Sequence, residues 1–321
     1  MKQILLFSLT AALLLSSLTA CGAPASSSSV PEDASPSAQV QSCTFTDDLG
    51  RSVTAPASPQ RVAALIGSFA DVWCLAGGQD TLTAAAHDAW TSFDLGLDDS
   101  VADLGAVKEP NLEVLLAAQP DFILASSNTA ADLELEGTFA QAGIPVAYFD
   151  IQSFDDYLNM LEICTGLTGC PENYETYGLQ VQAQVEAAKA RQDGSSPTVL
   201  TIRATGSSCK VKGSQDFLLG EMLADLGCVN VADSNTSLLE ELSLEAILAA
   251  DPDYIFVVLQ GSDATDAQET LEKTLLSNPA WSSLRAVQEG RFHTLEHSLY
   301  NLKPNARWGE AYEKLADILY P

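Results

Sequence analysis

Short apolar runs alternate with amphipathic stretches of about ten residues along most of the chain. In the first half, the runs that predict strands lie at 61–67, 82–86, 122–126 and 144–150. The same order returns after residue 197, with predicted strands at 198–204, 254–260 and 291–295 and a closing helix at 309–319. Strands that alternate with helices indicate parallel β-α-β units. The pattern therefore predicts an α/β fold of two Rossmann-like lobes with mainly parallel sheets.

A long polar stretch separates the two halves. It covers 171–194 and opens with Pro171, a residue that is tolerated at the first position of a helix. About 20 helical residues span roughly 30 Å, the width of a small domain. We therefore predict a stiff helix between an N-terminal lobe at 43–170 and a C-terminal lobe at 195–321. The ligand cleft is expected between the lobes, at the carboxyl ends of the strands.

One phrase occurs twice. Residues 111–125 read NLEVLLAAQPDFILA, and residues 243–257 read SLEAILAADPDYIFV. Each copy predicts a helix, a stop at Pro-Asp and a buried strand, because proline restricts the residue before it and cannot continue a helix. The repeat indicates that each lobe contains the same helix–stop–strand step.

The N-terminus has the features of a targeting segment. Residues 1–20 carry one charge, Lys2, and a short apolar run, and they end in small residues before Cys21. This order predicts a signal peptide followed by a bacterial lipobox, with Cys21 as the lipidated residue. The alternative is a plain secretory signal beside an incidental cysteine. Residues 21–42 are rich in Ser, Pro and Ala, which predicts a flexible spacer.

Charge and cysteine content limit the possible partners. The chain has 15 basic and 43 acidic residues, a formal net charge of −28. This charge argues against nucleic acid as a partner, and against binding to anionic lipid through a basic face. The other six cysteines show no CxxC spacing. The sequence leaves two possibilities open for these cysteines. They form the disulfides Cys164–Cys170 and Cys209–Cys228, or they are isolated buried thiols.

Signatures of catalysis are missing from the sequence. It contains no GxSxG, HExxH, GxGxxG or P-loop motif, and it has three histidines. His293 and His297 are four residues apart, but RFHTLEH reads as a strand entering a loop, which would separate them by about 13 Å. We therefore expect no enzyme, no catalytic residue, no metal site and no resident cofactor.

Basic and aromatic residues in the predicted cleft loops are candidates for ligand binding. The basic candidates are Arg203, Lys210, Lys212 and Lys303, which suit an anionic chelate. Those that could stack on a ligand or coordinate it are His87, Trp90, His297 and Tyr300. The alternatives are solvated charge and ordinary packing. Arg307 is a structural candidate because Arg-Trp opens the last helix.

The chain resembles a known family over roughly 44–321. The residues that carry the resemblance are FTDDLGRSVTAPASPQRVAAL, the repeated phrase, GEMLADLGCVNVAD, and NPAWSSLRAVQEGRFHTL. They are similar to the substrate-binding proteins of the ABC importers for iron-siderophores, heme and vitamin B12, the class with a helical backbone between two lobes. The resemblance implies capture of an iron complex, a siderophore or heme, with a cobalamin or other corrinoid as the alternative ligand.

The same resemblance implies the partners and the location. Glu113 and Glu245 match the family's glutamates that pair with arginines of a permease dimer, which works with its ATPase. We expect a monomer outside the cytoplasm, held at the outer face of the cell membrane only through the lipid on Cys21. Alternatives from other classes are a two-lobe metal-chelate enzyme, which would be cytoplasmic and lack the lipobox, and a ligand sensor, which would not need both glutamates.

Overall fold

The computed structural model describes residues 41–93, 95–215, 217–240, 242–261 and 264–321. The signal peptide, Cys21 and all but the last two residues of the spacer that the sequence predicts lie outside the described residues. The strands are β1 (Ser42–Thr46), β2 (Ser52–Pro56), β3 (Val62–Ala64), β4 (Leu82–Ala85), β5 (Ala102–Asp103), β6 (Phe122–Ser126), β7 (Val146–Phe149), β8 (Thr198–Ala204), β9 (Cys209–Lys212), β10 (Val229–Asn230), β11 (Tyr254–Leu259) and β12 (Phe292–Leu295).

Helices connect most of these strands. The helices are α1 (Gly67–Leu75), α2 (Asp88–Thr91), α3 (Leu112–Ala117), α4 (Ala130–Glu134), α5 (Glu136–Ala142), α6 (Phe154–Thr168), α7 (Pro171–Tyr174), α8 (Gln180–Lys189), α9 (Leu218–Asp225), α10 (Thr236–Glu240), α11 (Leu244–Ala250), α12 (Ala264–Leu271), α13 (Arg285–Gln288), α14 (His297–Tyr300) and α15 (Trp308–Leu319). No described helix is both long enough and apolar enough to cross a membrane.

The N-terminal lobe contains a five-stranded parallel sheet. Its strand order is β5-β4-β3-β6-β7. The central strands β3 and β6 are buried over their whole length, which explains their continuous apolar sequences. The order reverses between β3 and β6, the arrangement of a doubly wound sheet. The β1–β2 hairpin precedes this sheet.

The C-terminal lobe repeats this plan with one antiparallel strand. Its strand order is β10-β8-β11-β12, all parallel, and β9 pairs with β8 in the antiparallel direction. Here the order reverses between β8 and β11. The two sheets confirm the predicted α/β fold with two lobes and mainly parallel strands.

Long helices and one apolar core join the lobes. α7 continues through a π-helical turn at Glu175–Leu179 into α8, so the chain is helical from Pro171 to Lys189. The largest apolar cluster includes side chains from both sheets and from α6, α8 and α15. Trp308 of α15 lies 5.7 Å from Phe154 of α6, measured between ring centroids. The core is therefore continuous from one lobe to the other.

The segment that leads into the last helix adds a polar tie between the lobes. The side-chain amide of Asn305 donates to the carbonyl of Ser68 at 2.9 Å and to the carboxylate of Asp71 at 2.7 Å, both on α1. Asn305 is fully buried and has a φ of 49°, a backbone conformation that asparagine accepts more readily than most residues. Its loss would leave one buried acceptor and one half-buried acceptor of α1 without this donor.

Two local expectations were incomplete. The segment after β8 was expected to be a loop, but Cys209–Lys212 forms β9, because Cys209 and Val211 face the core while Lys210 and Lys212 alternate with them. The six cysteines of the described residues, all of them after Cys21, are free. Neither Cys164–Cys170 nor Cys209–Cys228 is bridged.

Candidate ligand-binding and docking sites

The reversal of strand order in the C-terminal lobe forms a pocket. β8 and β11 end side by side, with Ala204 opposite Leu259, and the chain then turns away at Thr205 and Gln260. A pocket of about 480 Å³ opens there, lined by Lys108, Arg203, Thr205, Gly206, Ser207, Ser208, Lys210, Gln260 and Gly261. Because Lys108 follows β5 of the other lobe, the pocket lies between the carboxyl ends of the two sheets. This is where doubly wound sheets bind ligands.

The turns that line this pocket are held by their own hydrogen bonds. Thr205 Oγ1 accepts from the backbone N–H groups of Ser207 at 3.3 Å and Ser208 at 3.0 Å. The N–H of Thr205 donates to the Ser208 carbonyl at 2.8 Å. Gly261 has a φ of 139°, a conformation restricted essentially to glycine, and leaves that part of the wall without a side chain. The pocket wall is therefore largely preformed.

Three cations in this pocket have no partner among the residues that the structure describes. No described residue forms an ion pair or a side-chain hydrogen bond with Lys108, Arg203 or Lys210. In a chain with 43 acidic and 15 basic residues, a nearby carboxylate is the usual surrounding of a cation. Three unpaired cations at one place therefore indicate a site for an anionic ligand.

The position of Arg203 and Lys210 supports this interpretation. The two residues lie directly opposite each other in the β8–β9 ladder. Like charges in this position destabilise a sheet. A bound anion would remove that repulsion. Lys212, two residues further along β9, lines a different pocket with Ser214, Gln215 and Asp233, so the structure separates it from the other two basic candidates.

Lys108 was not among the sequence candidates. It lies in the loop between β5 and α3, four residues after Leu104, and its side chain is exposed. The available signal was its position after a strand of the first lobe, but the strand has only two residues and its sequence is not distinctive. The structure thus adds one residue from the N-terminal lobe to a site otherwise formed by the C-terminal lobe.

His87 and Trp90 lie at the carboxyl end of β4. The His87 ring accepts or donates through Nδ1 to the Asp103 carboxylate at 2.7 Å, and 57% of its side chain is exposed. The backbone N–H of His87 donates to Gly105, in the loop that carries Lys108. Trp90 is half-buried and packs against the apolar core. His87 is therefore held at the rim of the cleft with Nε2 free of hydrogen bonds to described residues.

The aromatic and histidine candidates of the other lobe are less exposed. Tyr300 is 1% exposed and donates from its hydroxyl to the Ala311 carbonyl at 3.0 Å, so the structure places its ring in the core. His297 is half-buried, its Nε2 lies 3.1 Å from the Asn301 amide, and burial lowers its pKa. His293 lies on the edge strand β12 and stacks on Phe256 of the neighbouring strand β11, and burial lowers its pKa as well.

Lys303 lies in a second groove between the lobes. This groove has a volume of about 280 Å³ and is lined by Asp71, Leu75, Ser92, Phe93, Leu95, Ser298, Leu302, Lys303, Pro304, Ala306 and Arg307. Burial lowers the pKa of Lys303, and the charges of Asp150, Asp156 and Glu221 act in the opposite direction. The structure thus separates Lys303 from the pocket of Lys108 and Arg203.

Arg307 has a structural role at the start of α15. Its guanidinium contacts Glu310 at 2.7 Å and Glu296 at 3.2 Å, and Lys314 joins the same carboxylates. These contacts raise the pKa of Arg307 and lower that of Glu310 to about 2. This network accounts for Arg307 without a ligand.

The repeated phrase forms the same capped helix in each lobe. Glu113 and Glu245 both occupy the first turn of their helices, α3 and α11, and both side chains are exposed. Asn111 caps α3 by accepting from the Glu113 and Val114 N–H groups at 3.1 Å, and Ser243 caps α11. Each helix leads to the next strand of its lobe, so the two glutamates occupy equivalent positions in the repeat.

The Pro-Asp part of the phrase is structural. Asp121 accepts from the backbone N–H groups of Gln60 at 2.9 Å and Arg61 at 3.0 Å, just before β3. Asp253 accepts from the Thr198 N–H at 2.8 Å, at the start of β8. Each aspartate therefore anchors the beginning of the central strand beside its own. The same anchor is present in both lobes and explains the repeated aspartates. It does not explain the two exposed glutamates.

The ends of the two repeated helices match as well. Gln119 has a φ of 49° and Asp251 a φ of 39°, so each helix stops at a left-handed residue other than glycine. The carbonyl of Gln119 accepts from Arg61 at 2.9 Å, and that of Asp251 accepts from Arg285 at 3.1 Å. The match extends to the arginine that satisfies each helix terminus.

Comparison with known proteins agrees with a two-lobed ligand-binding protein. Residues 62–299 match the family model described as periplasmic binding protein. The chain is 25% identical to the iron-uptake system-binding protein of Bacillus subtilis strain 168, over 98% of this chain and 96% of the relative. It is 22% identical to the high-affinity heme uptake system protein IsdE of Staphylococcus aureus strain MRSA252, over 68% of this chain and 75% of the relative.

Solved structures show the same fold. Staphylococcus aureus SirA complexed with staphyloferrin B superimposes with a TM-score of 0.63 at 21% identity, covering 87% of this chain and 97% of that one. The two sheets and the pocket between their carboxyl ends define a substrate-binding protein. The chain belongs to the periplasmic binding protein family, whose members bind solutes outside the cytoplasm.

Proposed function

We propose that the protein is a solute-binding lipoprotein that captures an iron complex outside the cytoplasm and delivers it to the permease of an ABC importer. The similarity to an iron-uptake binding protein over nearly the whole chain supports iron as the cargo. The protein supplies a binding site and no catalysis, and it acts as a monomer. The permease and its ATPase are the partners.

The observation that carries this proposal is the group of unpaired cations between the lobes. Lys108, Arg203 and Lys210 line one pocket and have no described partner. Ferric iron is bound by hard, anionic oxygen ligands, and its complexes with several carboxylates or catecholates carry net negative charge. A preformed pocket with three cations would attract such a complex and hold it without closing completely around it.

Delivery requires a surface that the permease recognises. Glu113 and Glu245 provide one exposed carboxylate on each lobe, at equivalent positions of the repeat. A permease dimer offers two related surfaces, which matches this pairing. Removing one partner of a buried, hydrogen-bonded interfacial charge pair costs about 2–5 kcal/mol, and reversal adds repulsion.

The test separates docking from ligand binding. The double variant Glu113→Lys/Glu245→Lys should keep its affinity for the iron complex and lose uptake of radioactive iron in cells that lack the native copy. The matched control is Glu134→Lys/Glu269→Lys, which changes charge equally at one exposed helix residue per lobe. Normal uptake by the first double variant would show that the repeated glutamates are only helix residues.

Attachment to the membrane would depend on Cys21. The Ser- and Pro-rich spacer at 22–42 is long enough to hold the folded part away from the lipid surface. Cells that express the wild-type protein should incorporate radioactive palmitate into it, and the Cys21→Ala variant should not. A variant that is still labelled would reject Cys21 as the acylated residue.

A further inference from the structure

We infer that the pocket between the lobes selects a hydrophilic, polycarboxylate-type ferric chelate, and that Lys108 is the residue of the N-terminal lobe that determines this choice. The inference rests on the proposed function, because it names the class of iron complex that the same pocket takes. It separates this class from heme, from corrinoids and from aromatic catecholate complexes.

The lining of the pocket carries the first part of the argument. The side chains are those of lysine, arginine, threonine, serine and glutamine, with two glycines completing the wall. None of the described lining residues is aromatic or aliphatic. A porphyrin or a corrin has wide apolar faces, and sites for such ligands are lined mainly by hydrophobic and aromatic side chains. This pocket offers no such surface, so its ligand is polar on all sides.

The donors in the pocket match carboxylate oxygens. Arg203 presents a planar group that binds a carboxylate through two parallel hydrogen bonds, and Lys108 and Lys210 contribute compact positive charges. The hydroxyl groups of Ser207 and Ser208 and the amide of Gln260 add neutral donors at the same place. A ligand with several carboxylates around one ferric ion can use all of these groups at once.

The opposed pair in the β8–β9 ladder favours a ligand with more than one negative charge. Arg203 and Lys210 repel each other in the empty site, and Lys108 approaches from the other lobe. A single negative charge would leave two of the three cations unneutralised. A neutral hydroxamate complex would leave all three in place and desolvated, which disfavours binding.

Lys108 occupies the position from which a ligand would be held against the other lobe. The other eight lining residues belong to the C-terminal lobe, at 203–210 and 260–261. Lys108 forms no ion pair with a described residue, and it extends from the loop whose Gly105 carbonyl accepts from His87. Among the described lining residues, Lys108 is therefore the one that would link a ligand in this pocket to the N-terminal lobe.

The experiment measures binding to the purified mature protein by quenching of tryptophan fluorescence. The probes are ferric citrate, iron-free citrate, the ferric complex of 2,3-dihydroxybenzoate, hemin, cyanocobalamin and ferrioxamine. Ferric citrate should bind more tightly than the other five, and its affinity should fall as the salt concentration rises.

Variants locate the binding site. Lys108→Gln, Arg203→Gln and Lys210→Gln should each weaken ferric citrate about tenfold or more, the loss expected for one charge-assisted hydrogen bond. The matched control is Lys273→Gln, which removes an exposed lysine that does not line the pocket and forms no ion pair with a described residue. Its affinity should equal that of the wild type, and circular dichroism verifies that all variants are folded.

The possible outcomes are distinguishable. Tighter binding of hemin, cyanocobalamin, the catecholate or ferrioxamine would overturn the inference and leave the proposed function intact. Binding of ferric citrate that the three variants leave within twofold of the control would overturn the assignment of the pocket. No binding of any probe, together with normal iron uptake in cells that lack the gene, would reject the proposed function itself.

Discussion

A buried carboxylate in the N-terminal lobe makes a strong prediction about stability. Asp132 is fully buried at the start of the helical segment that follows β6, and its Oδ2 accepts from the Ser126 N–H at 2.8 Å. Its Oδ1 has no partner in the described structure. Burial raises the pKa of Asp132 from 3.8 to about 7, and the bond from Ser126 only partly opposes this effect.

The size of the effect follows from the two pKa values. A rise of about three units corresponds to about 4 kcal/mol between the protonated and ionised forms. Because the folded protein holds the proton more tightly than the unfolded chain, its contribution is favourable at low pH and is lost as the pH rises through 7. In the unfolded chain, the Asp132 carboxyl group is already mostly ionised at pH 5. The change between pH 5 and pH 8 should therefore be about 2–3 kcal/mol.

The assay is urea unfolding of the wild type and of Asp132→Asn at several pH values. The variant should gain stability relative to the wild type by about 2–3 kcal/mol from pH 5 to pH 8. The stability of the variant at a single pH also depends on how the new amide fits. The quantity to compare is therefore the change with pH in the difference in unfolding free energy between variant and wild type. A difference that stays constant across this range would refute the reasoning.

A second aspartate provides the control. Burial would raise the pKa of Asp253, but hydrogen bonds from Thr198 and the charge of Arg285 outweigh it and lower that pKa. A lowered pKa stabilises the fold above the unfolded value and loses that contribution only as the pH falls below it. The Asp253→Asn variant should be less stable than the wild type by the same amount at pH 5 and at pH 8.

Two further predictions concern the stability of the β8–β9 ladder and the stiffness of the connection between the lobes. Lys210→Gln should raise the free energy of unfolding by about 0.2–1 kcal/mol in urea titrations, because it removes the repulsion with Arg203 across the β8–β9 ladder, and unchanged or reduced stability would contradict this. X-ray scattering should show little change in the radius of gyration when the ligand binds. The reason is that a continuous core and the hydrogen bonds of Asn305 to α1 join the two lobes. A large decrease in the radius of gyration would contradict the stiff connection.

Several elements were predictable because local signals agree with the tertiary structure. The bounds of β6 and β8 match the predicted strands, since a proline lies one or two residues before each and the central residues of both are buried. The β1–β2 hairpin was not predicted as strands. Its exposed positions carry serine and threonine, and its pairing joins residues that are 6 to 14 positions apart, which periodicity does not reveal.

The candidate site was only partly predictable. Arg203 and Lys210 were recognisable because basic residues are rare, and because Arg203 lies near the end of a predicted strand and Lys210 follows it. Lys108 reaches the same pocket only through the arrangement of the two lobes, which a one-dimensional pattern does not contain. Tyr300 shows the reverse case, since its position after the last strand favoured the cleft while its ring packs in the core and its hydroxyl binds Ala311.

The central claim is that an iron complex binds between the carboxyl ends of the two sheets. Crystals of the mature protein grown with ferric citrate, measured at the iron absorption edge, test it most directly. We expect one anomalous peak in the pocket formed by Lys108, Arg203 and Lys210. A peak in the groove beside Lys303 and Arg307, or at a surface site away from both lobes, would contradict it.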